Sequence, residues 1–182
     1  MAYRNGTYIA FHANNTSDPT QSDMKYYNTL KMWKVRDDGD FTFINSHEKT
    51  GAVRDTSKKE TLRRSLISRM NNSKHLLLII GTTTRFDTDW IPFEIAYAAN
   101  ESKIPIIAVY TGYERIMDPA ALSALWPSEL TKVINSGSVG VIHVPFKQAP
   151  IADAISQFNH DSHPATTLNY YSQEAYSLWG LI

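Results

Sequence analysis

Two apolar runs constrain this chain more than any other feature. Residues 75–80 (HLLLII) and 104–110 (IPIIAVY) carry apolar side chains at consecutive positions, without the polar–apolar alternation of a strand that has one wet face. Runs this short, rich in branched residues, match strands covered on both faces, and such strands belong to parallel sheets with helices on either side. Three weaker strand patterns accompany them, at residues 7–11 (TYIAF), 41–44 (FTFI) and 140–144 (GVIHV).

Between the strands lie amphipathic stretches. The spacing predicts helices over residues 22–34, 57–71, 89–101, 127–134 and 151–158. Strand–helix alternation implies an α/β fold: a five-stranded parallel sheet with helices on both faces. The predicted domain covers residues 1–160. A break at residues 160–164 (HDSHP) precedes an extension, 161–182, in which Leu168, Tyr171, Ala175, Leu178, Trp179 and Ile182 fall at helical spacing on one face. That face is expected either to pack back on the domain or to dock a partner or a second copy.

Composition narrows the function. The chain has 182 residues, with 18 basic and 18 acidic side chains, so its formal net charge is zero. A general nucleic-acid binder would show a basic excess, and none is expected here. With no cysteine, disulfides, thiolate catalysis and cysteine-based zinc sites are excluded. No metal site is expected; His160 and His163 read as linker histidines, and His47, His75 and His143 carry no pattern. The first residues have no apolar signal core, and no run approaches membrane-spanning length. A cytoplasmic protein without a membrane partner is the expectation.

In an open parallel sheet, ligands sit beyond the carboxyl ends of the strands, where strand order reverses. The strand ends here are FHAN at residues 11–14 and GTTT at 81–84, both small and polar after an apolar run. No glycine-rich phosphate fingerprint is present. The second loop leads into DTDWIPFEI at residues 87–95. Asp89 or Thr88 is the expected N-cap, and Pro92 falls in the first turn, where its missing N–H does no harm. Trp90 and Glu94, four apart, share a helix face, with Tyr97 three further on. The ordinary reading of Glu94 is a glutamate placed in an early turn because the helix dipole favours it there. The sharper reading is an active-site carboxylate.

Three segments together resemble the TIR-like domains of Thoeris anti-phage defence. YIAFH at residues 8–12 is similar to that family's F-x-[SA]-F-H opening. SKHLLLIIG at 73–81, with the threonines that follow, is similar to its third strand and loop. DWIPFEI at 89–95 is similar to its x-W-V-x-x-E-I helix start. The likeness spans roughly residues 8 to 110; Pro92 and the pair Ala13 and Asn14 depart from the pattern. The resemblance implies a flavodoxin-like TIR fold with strand order 2-1-3-4-5. It also implies NAD as substrate, with no other cofactor, and Glu94 as the catalytic residue. Family members cleave the nicotinamide–ribose bond, often closing the product to a cyclic ADP-ribose isomer that activates a separate effector; self-association is also expected.

The remaining site assignments follow from side-chain chemistry. Phe11, Trp90 and Tyr97 are candidates to stack on a base or the nicotinamide ring. His12 is a candidate donor to ribose or phosphate, Asn14 and Thr82 line the strand ends, and Arg54 is a candidate phosphate ligand in a polar loop, residues 45–56, expected to act as a lid. Two alternatives stand beside the enzyme: a non-catalytic TIR interaction module, and a nucleoside N-glycosidase or deoxyribosyltransferase, which also uses a lone glutamate.

Overall fold

The computed structural model describes residues 4–14, 22–36, 43–44 and 56–182. Among these residues, six strands form one sheet: β1 (Gly6–Ala10), β2 (Phe43–Ile44), β3 (Ser73–Ile80), β4 (Ile106–Tyr110), β5 (Val141–Pro145) and β6 (Asn169–Tyr170). Their spatial order is β2-β1-β3-β4-β5-β6, and every pairing is parallel. The expected order 2-1-3-4-5 is present. The sixth strand is an addition that the helical reading of residues 161–182 did not foresee. Of the expected second strand, residues 41 and 42 lie outside the described residues.

Among the described residues, six α-helices complete the fold: α1 (Met24–Arg36), α2 (Thr56–Asn71), α3 (Trp90–Tyr97), α4 (Ser128–Ser136), α5 (Gln148–Gln157) and α6 (Gln173–Leu178). The pattern in β3 shows why its sequence does not alternate. Leu76, Leu78 and Ile80 pack into a core with Leu62, Leu66 and Met70 of α2, Ile91 and Ile95 of α3, and Leu130 and Val133 of α4. Leu77 and Ile79 pack into a second core with Met24, Tyr27 and Leu30 of α1 and Ile151 and Ala154 of α5. Each fully buried aliphatic side chain contributes roughly 1.5–3 kcal/mol. A one-residue slip would exchange the two sets, so these cores fix the register.

The helix with the candidate carboxylate starts differently from expectation. Asp89 occupies the N-cap position but its side chain makes no capping bond. Its carboxylate instead accepts from Lys59 Nζ at 2.6 Å. Asp87 does the capping: its Oδ1 accepts from the backbone N–H groups of Asp89 (2.9 Å), Trp90 (3.0 Å) and Ile91 (3.4 Å). A carboxylate two residues before the cap reaches the first free N–H groups as well as one at the cap itself, and it frees Asp89 to tie α3 to α2. Pro92 sits in the first turn, as expected. After Tyr97 the helix continues as a π-helical turn, Ala98–Ser102, and ends at Lys103 in a left-handed conformation, φ 52°.

The C-terminal segment overturns the expected single apolar face. Residues 169–170 are extended, so helical spacing cannot run on from Leu168. Only residues 173–178 are helical. The buried anchor is Tyr176, whose hydroxyl accepts from Ile116 N–H (3.2 Å) and donates to Ile116 C=O (3.3 Å). Trp179 packs edge-on against Tyr171 and Tyr176, while Leu178 points outward, 88% exposed. Among the described residues, no helix is long and apolar enough to cross a membrane.

Candidate active site

Side chains alternate across β1, so Tyr8 and Ala10 face the core under α2 and α3, and Ile9 and Phe11 face α1 and α5. Tyr8 therefore points toward α3. There its Oη donates to Glu94 Oε1 at 2.6 Å. Both residues are fully buried. Burial, and next the neighbouring carboxylate, push the Tyr8 phenol well above its ordinary pKa, so it remains a hydrogen-bond donor at any physiological pH. A carboxylate withdrawn from water loses several kcal/mol of solvation unless polar groups replace it, and a short bond from a phenol is one such replacement. Glu94 is thus not an ordinary solvated helix-start glutamate.

A second polar cluster lies at the carboxyl ends of β1 and β3. His12 Nδ1 and Thr83 Oγ1 are 3.2 Å apart, which joins the two strand ends. Behind them Thr84 Oγ1 accepts from Gly81 N–H (2.8 Å) and donates to Asp23 Oδ2 (3.0 Å). Asp23, just ahead of α1, is itself tied back by its N–H to His12 C=O (3.1 Å). Its carboxylate presses so close to Gly81 that a Cβ there would lie 2.5 Å from Oδ1, so any side chain at residue 81 would push Asp23 out of place. Burial raises the pKa of Asp23, opposed by the Thr84 bond and then by the charge of His12. The two clusters rise from different levels of the sheet: Tyr8 lies mid-strand, paired with Leu76, and His12 lies beyond the last residue of β1.

A family model described as the TIR-like domain of the Thoeris protein ThsB matches residues 8–115. The chain belongs to this family. The match begins at Tyr8 and takes in His12, Asp23, the β3 loop and Glu94, so both polar clusters of the TIR-like domain lie inside it. The all-parallel sheet with helices on both faces is the flavodoxin-like TIR fold expected from the sequence. The region from α4 to α6, with β5 and β6, lies beyond the match.

The other expected site residues of the TIR-like domain do not all gather. Phe11 is 1% exposed and stacks on Tyr27, ring centroids 5.1 Å apart, in the core on the side of the sheet away from Glu94. It serves packing, because residue 11 faces opposite to residue 8. Tyr97 accepts a hydrogen bond from Asn71 Nδ2 at 3.2 Å. Asn71 ends α2 just before β3 begins, so Tyr97 sits at the amino end of the sheet, away from the crevice. Seven residues of helix, at about 1.5 Å each, separate it from Trp90. Asn14 is exposed and left-handed, φ 51°. Thr82 is exposed on the β3 loop, while its neighbours Thr83 and Thr84 make the contacts described above.

Trp90 is half-buried beside a surface cleft of about 490 Å³, whose lining includes Lys59, Arg63 and Phe93. Lys59 Nζ lies 5.6 Å from its ring centroid. Trp90 thus packs toward α2 while Glu94, four residues on, points to β1. Arg54 and residues 45–55 of the expected lid lie outside the described residues. The sequence pattern alone assigns no role to Tyr8 or Asp23. The signal for Tyr8 is the strand alternation that puts residue 8 opposite α3; nothing local marks Asp23, whose carboxylate meets Gly81 and Thr84, 58 and 61 positions later.

Proposed function

We propose that this TIR-like domain protein of Thoeris defence consumes NAD, cleaving the nicotinamide–ribose bond with Glu94 as the catalytic carboxylate. The observation that carries this reading is the buried Glu94 carboxylate on α3, held by Tyr8 at 2.6 Å within the family segment. A carboxylate placed there is costly to stability, and buried charges of this kind cluster at functional sites.

One carboxylate is enough for this reaction. Most glycosidases need a second carboxyl group to protonate the leaving oxygen. The nicotinamide of NAD is a cationic pyridinium: when its bond to ribose C1′ breaks, the electron pair neutralises the ring nitrogen and nicotinamide leaves without protonation. Glu94 orients the ribose hydroxyls and stabilises the positive charge that develops on the sugar. Capture of C1′ by water gives ADP-ribose. Capture by a nitrogen or hydroxyl of the adenosine half gives a cyclic isomer, with the released proton passing through Glu94 to solvent. Exclusion of water favours closure to the ring, and a cyclic product suits a messenger for a separate effector.

Glu94 has no exposed surface, so ribose reaches it only after its cover opens. Such a site is silent at rest and turns over when assembly or a trigger opens it. The same burial favours a second reading, a non-catalytic interaction module in which Glu94 stays sealed. Full-length protein and Glu94→Gln, each incubated with NAD in extracts of uninfected and phage-infected cells, separate the two. Nicotinamide release and a nucleotide of cyclic ADP-ribose mass are expected from the first protein only. Equal release from both would end the assignment of Glu94, and no release in any assembly state would leave the interaction module. Base release from nucleosides but not from NAD would point to the N-glycosidase instead.

A further inference from the structure

We infer that Tyr8 is a positioning residue for Glu94: its hydroxyl fixes the orientation of the carboxylate and keeps it ionised in a site closed to water. The inference rests on the reading of Glu94 as the reactive carboxylate. The geometry is specific. The 2.6 Å separation is within the range of hydrogen bonds to charged acceptors. The donor comes from the middle of β1, a strand buried along its whole length, so it cannot withdraw without breaking the sheet. The acceptor comes from α3, anchored beside it by Ile91 and Ile95 in the same core. Of the strand positions flanking it, Thr7 binds His75 and Ile9 packs on the opposite face, so Tyr8 is the β1 side chain that bonds this carboxylate.

The chemistry gives the direction of the effect. A donor to the ionised form stabilises that form and lowers the carboxyl pKa; burial alone would raise it. The reaction needs a carboxylate facing the ribose, since a neutral acid cannot stabilise the developing cation. The charge of Arg69 on α2 also reaches the Tyr8 hydroxyl and stays in place when the phenol is removed; without the phenol, Glu94 takes up a proton as the pH falls sooner than it does with it. Loss of a bond to a charged group corresponds to a titration shift of roughly one to two pH units.

The test uses full-length protein labelled with carboxyl-¹³C glutamate, the Glu94 resonance being the one that Glu94→Gln removes. In Tyr8→Phe the Glu94 midpoint is expected to rise by roughly one to two pH units. The acid limb of kcat for nicotinamide release should move by the same amount, with KM for NAD unchanged. An unmoved midpoint overturns the inference, as does a kcat limb that stays in place when the midpoint moves. Should Tyr8→Phe fail to fold, site-specific 3-fluorotyrosine at position 8 supplies a stronger donor, and the midpoint must then fall; if it does not, the inference is overturned. The titration needs no substrate. A protein that shows the shift but never cleaves NAD refutes the proposed activity and leaves the Tyr8–Glu94 coupling standing.

Discussion

Two buried tyrosine networks sit on the same sheet and are built to different ends. At β1, the Tyr8 phenol donates to the Glu94 carboxylate. At β4, Trp126 Nε1 donates to Tyr110 Oη (2.8 Å), Tyr110 Oη lies 2.7 Å from His143 Nδ1, and His143 Nε2 lies 2.9 Å from Thr167 C=O. A carbonyl only accepts, so His143 carries its proton on Nε2, and Nδ1 accepts from Tyr110. Every member of this second chain is neutral and has a partner. It joins β4, β5, the turn before α4 and the segment leading to β6. Stability explains such a network fully. The first network buries a carboxylate, which stability alone would replace with an apolar pair. On the proposed reading of Glu94, this difference separates the cluster that would carry the chemistry from the one that holds the fold.

The largest expected effect breaks the two networks apart. Glu94→Gln keeps an oxygen for Tyr8 and so keeps the fold, but nicotinamide release should fall by about 10³-fold or more, read by chromatography of the released base. A substantial residual rate would show that the buried carboxylate is structural after all.

Next in size is the response to acid. Burial depresses His143 to a pKa of about 4. It does the same to His75, which is held by Thr7 Oγ1 at 2.7 Å and Phe158 C=O at 2.9 Å. Both lie below the unfolded value of 6.5. Above pH 6.5 both states are neutral and stability is at its full value. Between pH 6.5 and 4 the unfolded chain binds more protons, so stability must fall with falling pH, by about 3 kcal/mol per histidine. Urea unfolding from pH 7.5 to 4 checks this, and a flat stability across that window would show that neither histidine is held neutral.

Removing one of those histidines sharpens the contrast. His143→Ala leaves the Tyr110 hydroxyl and Thr167 carbonyl without their partner and opens space in the core; the expected loss is about 2–4 kcal/mol. Turnover per folded molecule should stay the same, because His143 belongs to the neutral network. A chemical denaturation curve paired with an NAD assay tests both halves, and lost turnover with intact stability would reverse the division of roles.

The smallest expected effect concerns the start of α3. Asp87→Ala removes the side chain that caps three N–H groups and should cost about 1 kcal/mol in thermal or urea unfolding. Asp89→Ala should cost less, since Asp89 contributes an exposed ion pair with Lys59. The opposite order would restore Asp89 as the functional cap.

Much of the fold was legible in the sequence because burial leaves a periodic trace. The unbroken apolar runs of β3 and β4 announced a sheet covered on both faces, and the amphipathic stretches between them announced the helices. The spacing from Trp90 to Glu94 was equally visible. What the spacing of four could not say is which way each side chain turns once α3 has docked: Glu94 goes in to β1 and Trp90 goes out to α2. Phe11 and Tyr97 looked equivalent to Trp90 as aromatic candidates, yet one is a core ring on the other face and one lies at the far end of the helix. The β6 strand escaped because two residues of edge strand carry no periodicity.

The sequence by itself determined the parallel α/β class, the strand order implied by family resemblance and the position of the candidate carboxylate along the chain. Local side-chain patterns encode those, since a helix or strand shows its buried face in a few consecutive residues. Only the tertiary structure decided that Tyr8, 86 residues before Glu94, is its hydrogen-bond partner, that Asp23 presses on Gly81, and that His143 ties the C-terminal segment to the sheet. These are contacts between elements distant in sequence, fixed by how two cores pack across one sheet, and no local pattern carries them.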